Sequence, residues 1–207
     1  MKNSFPSAPT VVPTRERPTV NLSLYQTTHD PQAGKLKMIL WYFTNIFFFQ
    51  NPFNPSSGLK VRLLRLFGAK IGQGVVVKPA VNIKYPWKLT VGKEVWIGEN
   101  VWIDNLEPVS IGNNVCISQG ALLLTGGHDI TAPDFSYESG SIQIEDGCWI
   151  GARAVVSKNV TCGSHSVLGI NAVAESDLQA YFVYKGNPAI PILERQVKQT
   201  KSPDNQG

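Results

Sequence analysis

Charge is scarce in this chain, and cysteine, histidine and methionine are scarcer still. Only 16% of its 207 residues are Asp, Glu, Lys or Arg, against 43% apolar. That balance excludes a disordered protein, except at the ends. The net charge is +4. Yet no dense Lys/Arg run occurs and the basic residues look scattered, which argues against nucleic acid as a partner. The three cysteines, Cys116, Cys148 and Cys162, are odd in number and widely spaced. They exclude a disulfide framework, fit a reducing compartment and suit small core positions. The compact apolar run Met38–Phe49, broken by Thr44 and Asn45, is too short to span a bilayer. The first thirty residues have no apolar core of a signal peptide, so a cytoplasmic protein is expected.

What is present is a period. Between Ile71 and Ala174 an apolar residue recurs at nearly every sixth position: Ile71, Val77, Ile83; Val91, Ile97, Ile103; Ile111, Ile117, Leu123; then Ile144, Ile150, Val156, Cys162, Leu168, Ala174. Glycine follows seven of these fifteen. A period of six fits neither a helix nor a hairpin and marks a parallel β-helix, each hexad one short strand plus a turn. Three hexads close a triangular coil, so five coils are expected, about 25 Å tall at the usual strand spacing. Coil starts at Ile71, Val91 and Ile111 leave room for extra residues near Pro86–Leu89 and Pro108–Val109. The ladder breaks once, after Leu123, and residues 125–141 must leave the prism as a loop.

Four segments follow. Residues 1–34 read as a flexible proline-rich tail. Residues 35–70 form a helical cap, with one helix on the run 38–49 and another over about 56–67, where Leu59, Leu63 and Leu66 recur at helical spacing. The repeats occupy 71–180. Residues 181–207 supply a last strand, a short helix over about 191–200 and a frayed tail. The cap covers strand edges that would otherwise stand unpaired. The run 38–49 serves either to pack on the prism or to contact a membrane surface or another subunit.

A loop interrupting a rigid scaffold is a preferred place for function. This one opens on Thr125-Gly-Gly-His-Asp129, and imidazole is the side chain best matched to proton transfer near neutral pH. His128 is therefore the candidate catalyst, with an incidental surface histidine as the plain alternative. His29 falls in the tail and His165 at a coil corner.

The hexad ladder, Thr125-Gly-Gly-His-Asp129, Ile144-Glu-Asp-Gly-Cys-Trp-Ile-Gly-Ala152 and Lys185-Gly-Asn-Pro-Ala189 resemble the left-handed β-helix acyltransferases. Leu64-Arg-Leu-Phe-Gly-Ala-Lys-Ile-Gly72 and Tyr85-Pro-Trp-Lys-Leu89 resemble, more narrowly, the colanic-acid and exopolysaccharide biosynthesis acetyltransferases. The resemblance covers roughly residues 35–195 and implies an all-β, left-handed parallel β-helix. It also implies acetyl transfer from acetyl-CoA, as co-substrate, to a hydroxyl of a sugar or lipid-linked oligosaccharide. The implied assembly is a homotrimer with sites between subunits, at the inner face of the membrane if the acceptor is lipid-linked.

On that resemblance His128 is the general base. Asn105 stands where related enzymes carry an Asp and either binds the acceptor or is an ordinary corner residue. Asp129 or Glu138 orients the imidazole, or is a solvated loop carboxylate. Trp149, Gly151 and Ala152 match the pantetheine side of the CoA site, with an indole that packs between subunits as the plain alternative for Trp149. Relatives place basic residues where this chain has Glu175-Ser176, Ile190 and Leu193, which leaves Lys185 and Arg195 as substitutes for the CoA phosphates. A zinc enzyme on the same prism needs three histidine ligands, and only His128 and His165 lie in the repeats, so no metal is expected. A non-catalytic scaffold or glycan-binding module is the alternative from another class.

Overall fold

The computed structural model describes residues 18–26 and 29–198. The proline-rich stretch 1–17 and the end expected to fray, 199–207, lie outside the described residues, as do residues 27–28.

The hexads form a parallel β-helix. Its first face stacks Lys70–Ile71, Leu89–Val91, Val109–Ile111, Ile142–Ile144 and Thr161–Cys162. The second stacks Val76–Val77, Trp96–Ile97, Cys116–Ile117, Trp149–Ile150, Val167–Leu168 and Phe182–Lys185. The third stacks Asn82–Ile83, Trp102–Asp104, Leu122–Leu124, Val155–Val156 and Val173–Ala174. Five coils close, as the spacing predicts. A sixth begins with Leu178, bridged to Cys162, and with Phe182–Lys185 on the second face.

Strand register joins ladder residue to ladder residue, as in Ile71–Val91–Ile111–Ile144–Cys162 down the first face. All fifteen are buried except Ile71, half-buried in the first coil. Each buried aliphatic side chain contributes about 1.5–3 kcal/mol, so the prism is held by three columns of like-on-like contacts. Glycine follows a ladder residue because the next coil passes there: a Cβ on Gly92 would stand 2.7 Å from the Gly112 carbonyl oxygen.

Two helices cap the first coil. Helix α1, Lys35–Thr44, runs into a wider π-helical turn, Asn45–Phe49. The turn coincides with Asn45 facing inward, where its Nδ2 donates to Asn82 Oδ1 at 2.7 Å. Trp41 and Phe49 pack against the prism, and Trp41 Nε1 donates to the Ile83 carbonyl at 2.9 Å. Helix α2, Ser57–Leu66, is capped by Ser56, whose Oγ accepts from Leu59 N. Its buried face is Lys60, Val61 and Leu64, not the leucine stripe: Leu59 and Leu66 are exposed. Lys60 is wholly buried, and its Nζ donates to the carbonyls of Asn54 at 2.8 Å and Lys78 at 3.0 Å.

The C-terminal helix expected over 191–200 does not form. Ile190–Glu194 is instead a strand, antiparallel to Phe182–Lys185. The last coil leaves an open edge whose backbone groups need partners. A register shift at Val183/Tyr184 accommodates Pro191 opposite Tyr184.

Candidate active site

Extra residues in successive coils thicken one edge of the prism, between the third face and the first. Tyr85–Lys88 project there from the first coil, Asn105–Pro108 from the second and residues 125–141 from the third. The last is a β-hairpin, Gly126–His128 paired antiparallel with Tyr137–Ser139, with His128 opposite Tyr137. Buried Thr125 anchors its base, its Oγ1 donating to the Asp104 carbonyl at 2.9 Å and accepting from Glu107 N at 3.1 Å.

The N-terminal segment crosses this edge. Asn21 N donates to the Pro133 carbonyl at 2.7 Å, and Trp87 Nε1 to that of Pro31 at 2.7 Å. Lys88 Nζ donates to the Asp30 carbonyl at 3.1 Å. Residues of the expected tail therefore touch the hairpin and the prism.

His128 is exposed, and its Nδ1 lies 2.8 Å from the Phe135 carbonyl oxygen. A carbonyl only accepts, so Nδ1 carries the hydrogen, a tautomer assigned from its partner. Nε2 then holds a lone pair. The ring meets Tyr25, Phe135 and Tyr137 edge-on at 5.9–6.4 Å. Leu22, Tyr25, Ile130 and Phe135 line an open apolar hollow of about 540 Å³ beside it.

Behind the hairpin lies a half-buried cluster that the sequence did not reveal. His29 stacks on Tyr85 at 5.7 Å and meets Tyr137 edge-on at 6.0 Å. Its Nδ1 is 3.9 Å from Glu107 Oε1, while its Nε2 is buried without a hydrogen-bond partner among the described residues. Burial, then Lys88, pulls the His29 pKa below the ordinary histidine value. The Tyr137 hydroxyl is likewise buried and unpartnered among the described residues, and burial, with Asp104 and Glu107 nearby, pushes its pKa up to about 12. On the far side of Tyr85 a second hollow of about 540 Å³ separates α1 from the first coils, with Lys84 and Asp104 in its wall. Lys84 Nζ stands 3.1 Å from Asp104 Oδ1.

The remaining candidates fall in different places. Asn105 is fully buried, and its amide is spent on the Tyr85 backbone, accepting from N at 2.9 Å and donating to O at 2.6 Å. It is a clamp between coils. Asp129 does not hold the imidazole: Oδ1 accepts from Thr131 Oγ1 at 2.7 Å and Thr131 N at 2.8 Å, and these bonds, the hydroxyl's foremost, lower its pKa. Glu138 pairs with Lys158. Trp149 stands half-exposed on the second face, its Nε1 donating to Ser118 Oγ at 2.9 Å. Gly151 and Ala152 follow at the turn toward the third face, where a Cβ on Gly151 would meet the Leu168 carbonyl oxygen at 2.7 Å. Lys185 is exposed at the end of its strand. Arg195 commits Nη1 to the carbonyls of Gly147 and His165, each at 2.9 Å. Within one chain, His128 and the Trp149–Ala152 group thus occupy different edges.

No protein-family model matches the chain. A protein of Escherichia coli (strain K12) assigned as the colanic acid biosynthesis acetyltransferase WcaF is 43% identical over 133 residues, covering 64% of this chain and 73% of the relative. The galactoside O-acetyltransferase of the same organism is 28% identical over 135 residues, 64% of this chain and 66% of the relative. Among solved structures, a hexapeptide-repeat acetyltransferase of Vibrio cholerae with acetyl coenzyme A superposes with a TM-score of 0.69 at 20% identity, covering 79% of this chain and 87% of that one. A galactoside acetyltransferase with coenzyme A gives 0.69 at 24% identity, covering 78% and 82%. These two carry the fold, and the first relative carries the kinship. With coils, cap and histidine hairpin as described, the chain belongs to the hexapeptide-repeat acetyltransferases.

Proposed function

We propose that this enzyme moves an acetyl group from acetyl-CoA to a hydroxyl of a sugar, in an exopolysaccharide or its lipid-linked precursor, with His128 as general base. The observation that carries the reading is the Nδ1–Phe135 contact, because it leaves Nε2 as an acceptor on an exposed ring. Nε2 takes the proton of the acceptor hydroxyl as its oxygen attacks the thioester carbonyl carbon. The tetrahedral intermediate collapses, the C–S bond breaks, and the CoA sulfur leaves with the proton returned by the imidazolium. No acyl-enzyme is needed, and holding both substrates in one groove supplies the proximity advantage.

Acetyl-CoA as donor is supported by the relatives whose structures hold it or CoA. An exopolysaccharide acceptor rests on the colanic-acid relative. A homotrimer is supported by the separation of His128 from Trp149, Gly151 and Ala152: a groove between two copies joins one copy's base to the other's pantetheine side. Lys185, free at its strand end, is better placed than Arg195 to meet a CoA phosphate, since Arg195 is already engaged. The test is thiol release from acetyl-CoA with a panel of sugars and oligosaccharides. His128→Ala is expected to abolish acceptor-dependent release; undiminished turnover would overturn the base.

A further inference from the structure

One stretch of the chain has no acid at all. Between Asp30 and Glu94 there is no Asp or Glu, while ten lysines and arginines occur there. The rest of the chain holds nine basic residues against fifteen acidic ones. The residues of the cap and first coil therefore sum to a strong positive charge and those of the remainder to a negative one, an asymmetry hidden by the net charge of +4, and Asp104 of the second coil offsets only Lys84. Lys35, Arg62, Lys70 and Lys78 are exposed there and make no ion pair among the described residues.

The same end carries an uncovered apolar stripe. Leu36, Ile39, Leu40, Phe43 and Phe47 recur at helical spacing along α1 and its π-turn, and each is at least 51% exposed. The opposite stripe, Trp41, Asn45 and Phe49, is the one that packs on the prism. Phe53, just beyond, is 90% exposed. A helix apolar on both sides needs a cover on each.

We propose that this end docks on an anionic lipid bilayer, the stripe entering the headgroup zone and the exposed cations of the cap and first coil meeting lipid phosphates. Charge complementarity selects this occupant. A second copy presenting the same face would set two strongly basic segments against each other, whereas an anionic surface neutralises them. The contact is peripheral: no described helix is long and apolar enough to cross a membrane. Exposed aromatic and aliphatic side chains flanked by Lys and Arg are the composition of an interfacial helix.

The test is co-sedimentation of the full chain with vesicles of phosphatidylcholine, alone or with about 30% phosphatidylglycerol, at low and high salt. The expected result is preferential binding to the anionic vesicles, weakened by salt. Leu36→Ser with Phe47→Ser lowers the partition at least about tenfold, and Lys35→Glu with Arg62→Glu removes the anionic preference. All four side chains are exposed, so unchanged melting in each variant confirms that the fold is intact. Absence of vesicle binding by the parent chain, or equal binding by the variants, would overturn the proposal. So would an oligomer that dissociates on Leu36→Ser with Phe47→Ser, since the face would then be covered by a second copy. Vesicle binding is read without acetyl transfer, so the outcome is independent of the role of His128.

Discussion

The imidazole of His128 is held by the backbone of Phe135, Nδ1 to carbonyl oxygen at 2.8 Å, within its own hairpin. Phe135 has a φ of +51°, and its ring meets the imidazole edge-on. One residue thus fixes both the tautomer and the tilt of the proposed base.

Phe135→Gly follows from that pairing. Glycine adopts the left-handed backbone freely, so the turn survives, but the ring that restrains the imidazole is lost. Acetyl transfer is expected to fall about tenfold in kcat through misplacement of Nε2. The KM for acetyl-CoA is expected to stay near the parent value, because the CoA candidates occupy another edge. Steady-state kinetics with both substrates varied separates this from general damage, which would raise KM as well.

The two glycines before His128 should respond differently to alanine. A Cβ on Gly126 would lie 2.4 Å from the Tyr137 hydroxyl and 3.1 Å from Leu106 Cδ1. A Cβ on Gly127 would meet only the Lys158 side chain, at 3.5 Å. Gly126→Ala must displace the Tyr137 ring that meets His128 edge-on and is expected to cost about 1–3 kcal/mol of stability and most activity. Gly127→Ala is expected to retain both. Urea melts and thiol release of the two variants make the comparison, and equal damage would refute it.

The prism was legible because its period is itself the geometry: each ladder residue points inward and stacks on another, so Ile97 predicts Ile117 and Ile150. His128 was legible as the residue at the one break. Its partner was not, because a carbonyl oxygen leaves no mark on residue identity. Tyr25 and His29 were hidden for another reason. Proline-rich composition excludes local helix or strand, but it says nothing about docking on the hairpin more than a hundred residues later. Asn105 stayed open in the sequence because a buried amide clamp and a ligand-binding amide share one side chain, and only the Tyr85 contacts separate them.

His29 should make stability sensitive to acid. Its pKa is depressed when folded, so the folded state favours the neutral ring while the unfolded chain protonates near the ordinary value of about 6.5. The unfolded state then binds more protons, and stability falls as pH drops below that value toward the folded pKa. His29→Phe keeps an aromatic ring against Tyr85 and removes the titration. Between about pH 7.5 and pH 5 the variant is expected to lose less melting temperature than the parent. Parallel pH profiles of parent and variant would contradict the assignment. Tyr137 acts at the other limit: with its pKa raised to about 12, its contribution is present below the ordinary value and lost as pH rises toward that number. Tyr137→Phe should flatten the alkaline limb.

Lys60 gives the sharpest stability test, because its burial is complete and its partners are both neutral. Nζ links the Asn54 carbonyl, just before α2, to the Lys78 carbonyl in the first coil. No carboxylate among the described residues pairs with it, and burial pulls its pKa below the usual lysine value. Lys60→Met preserves the apolar stem in the same space but leaves two carbonyls without their donor. The expected loss is about 1–3 kcal/mol, since both hydrogen bonds are only part-buried and water can reach the carbonyls in part. The donor also ties cap to prism, so the cap should loosen first. Amide exchange is expected to rise across residues 57–66 before it rises in the coils. A methionine variant as stable as the parent would show that burying the ammonium costs as much as its two hydrogen bonds return.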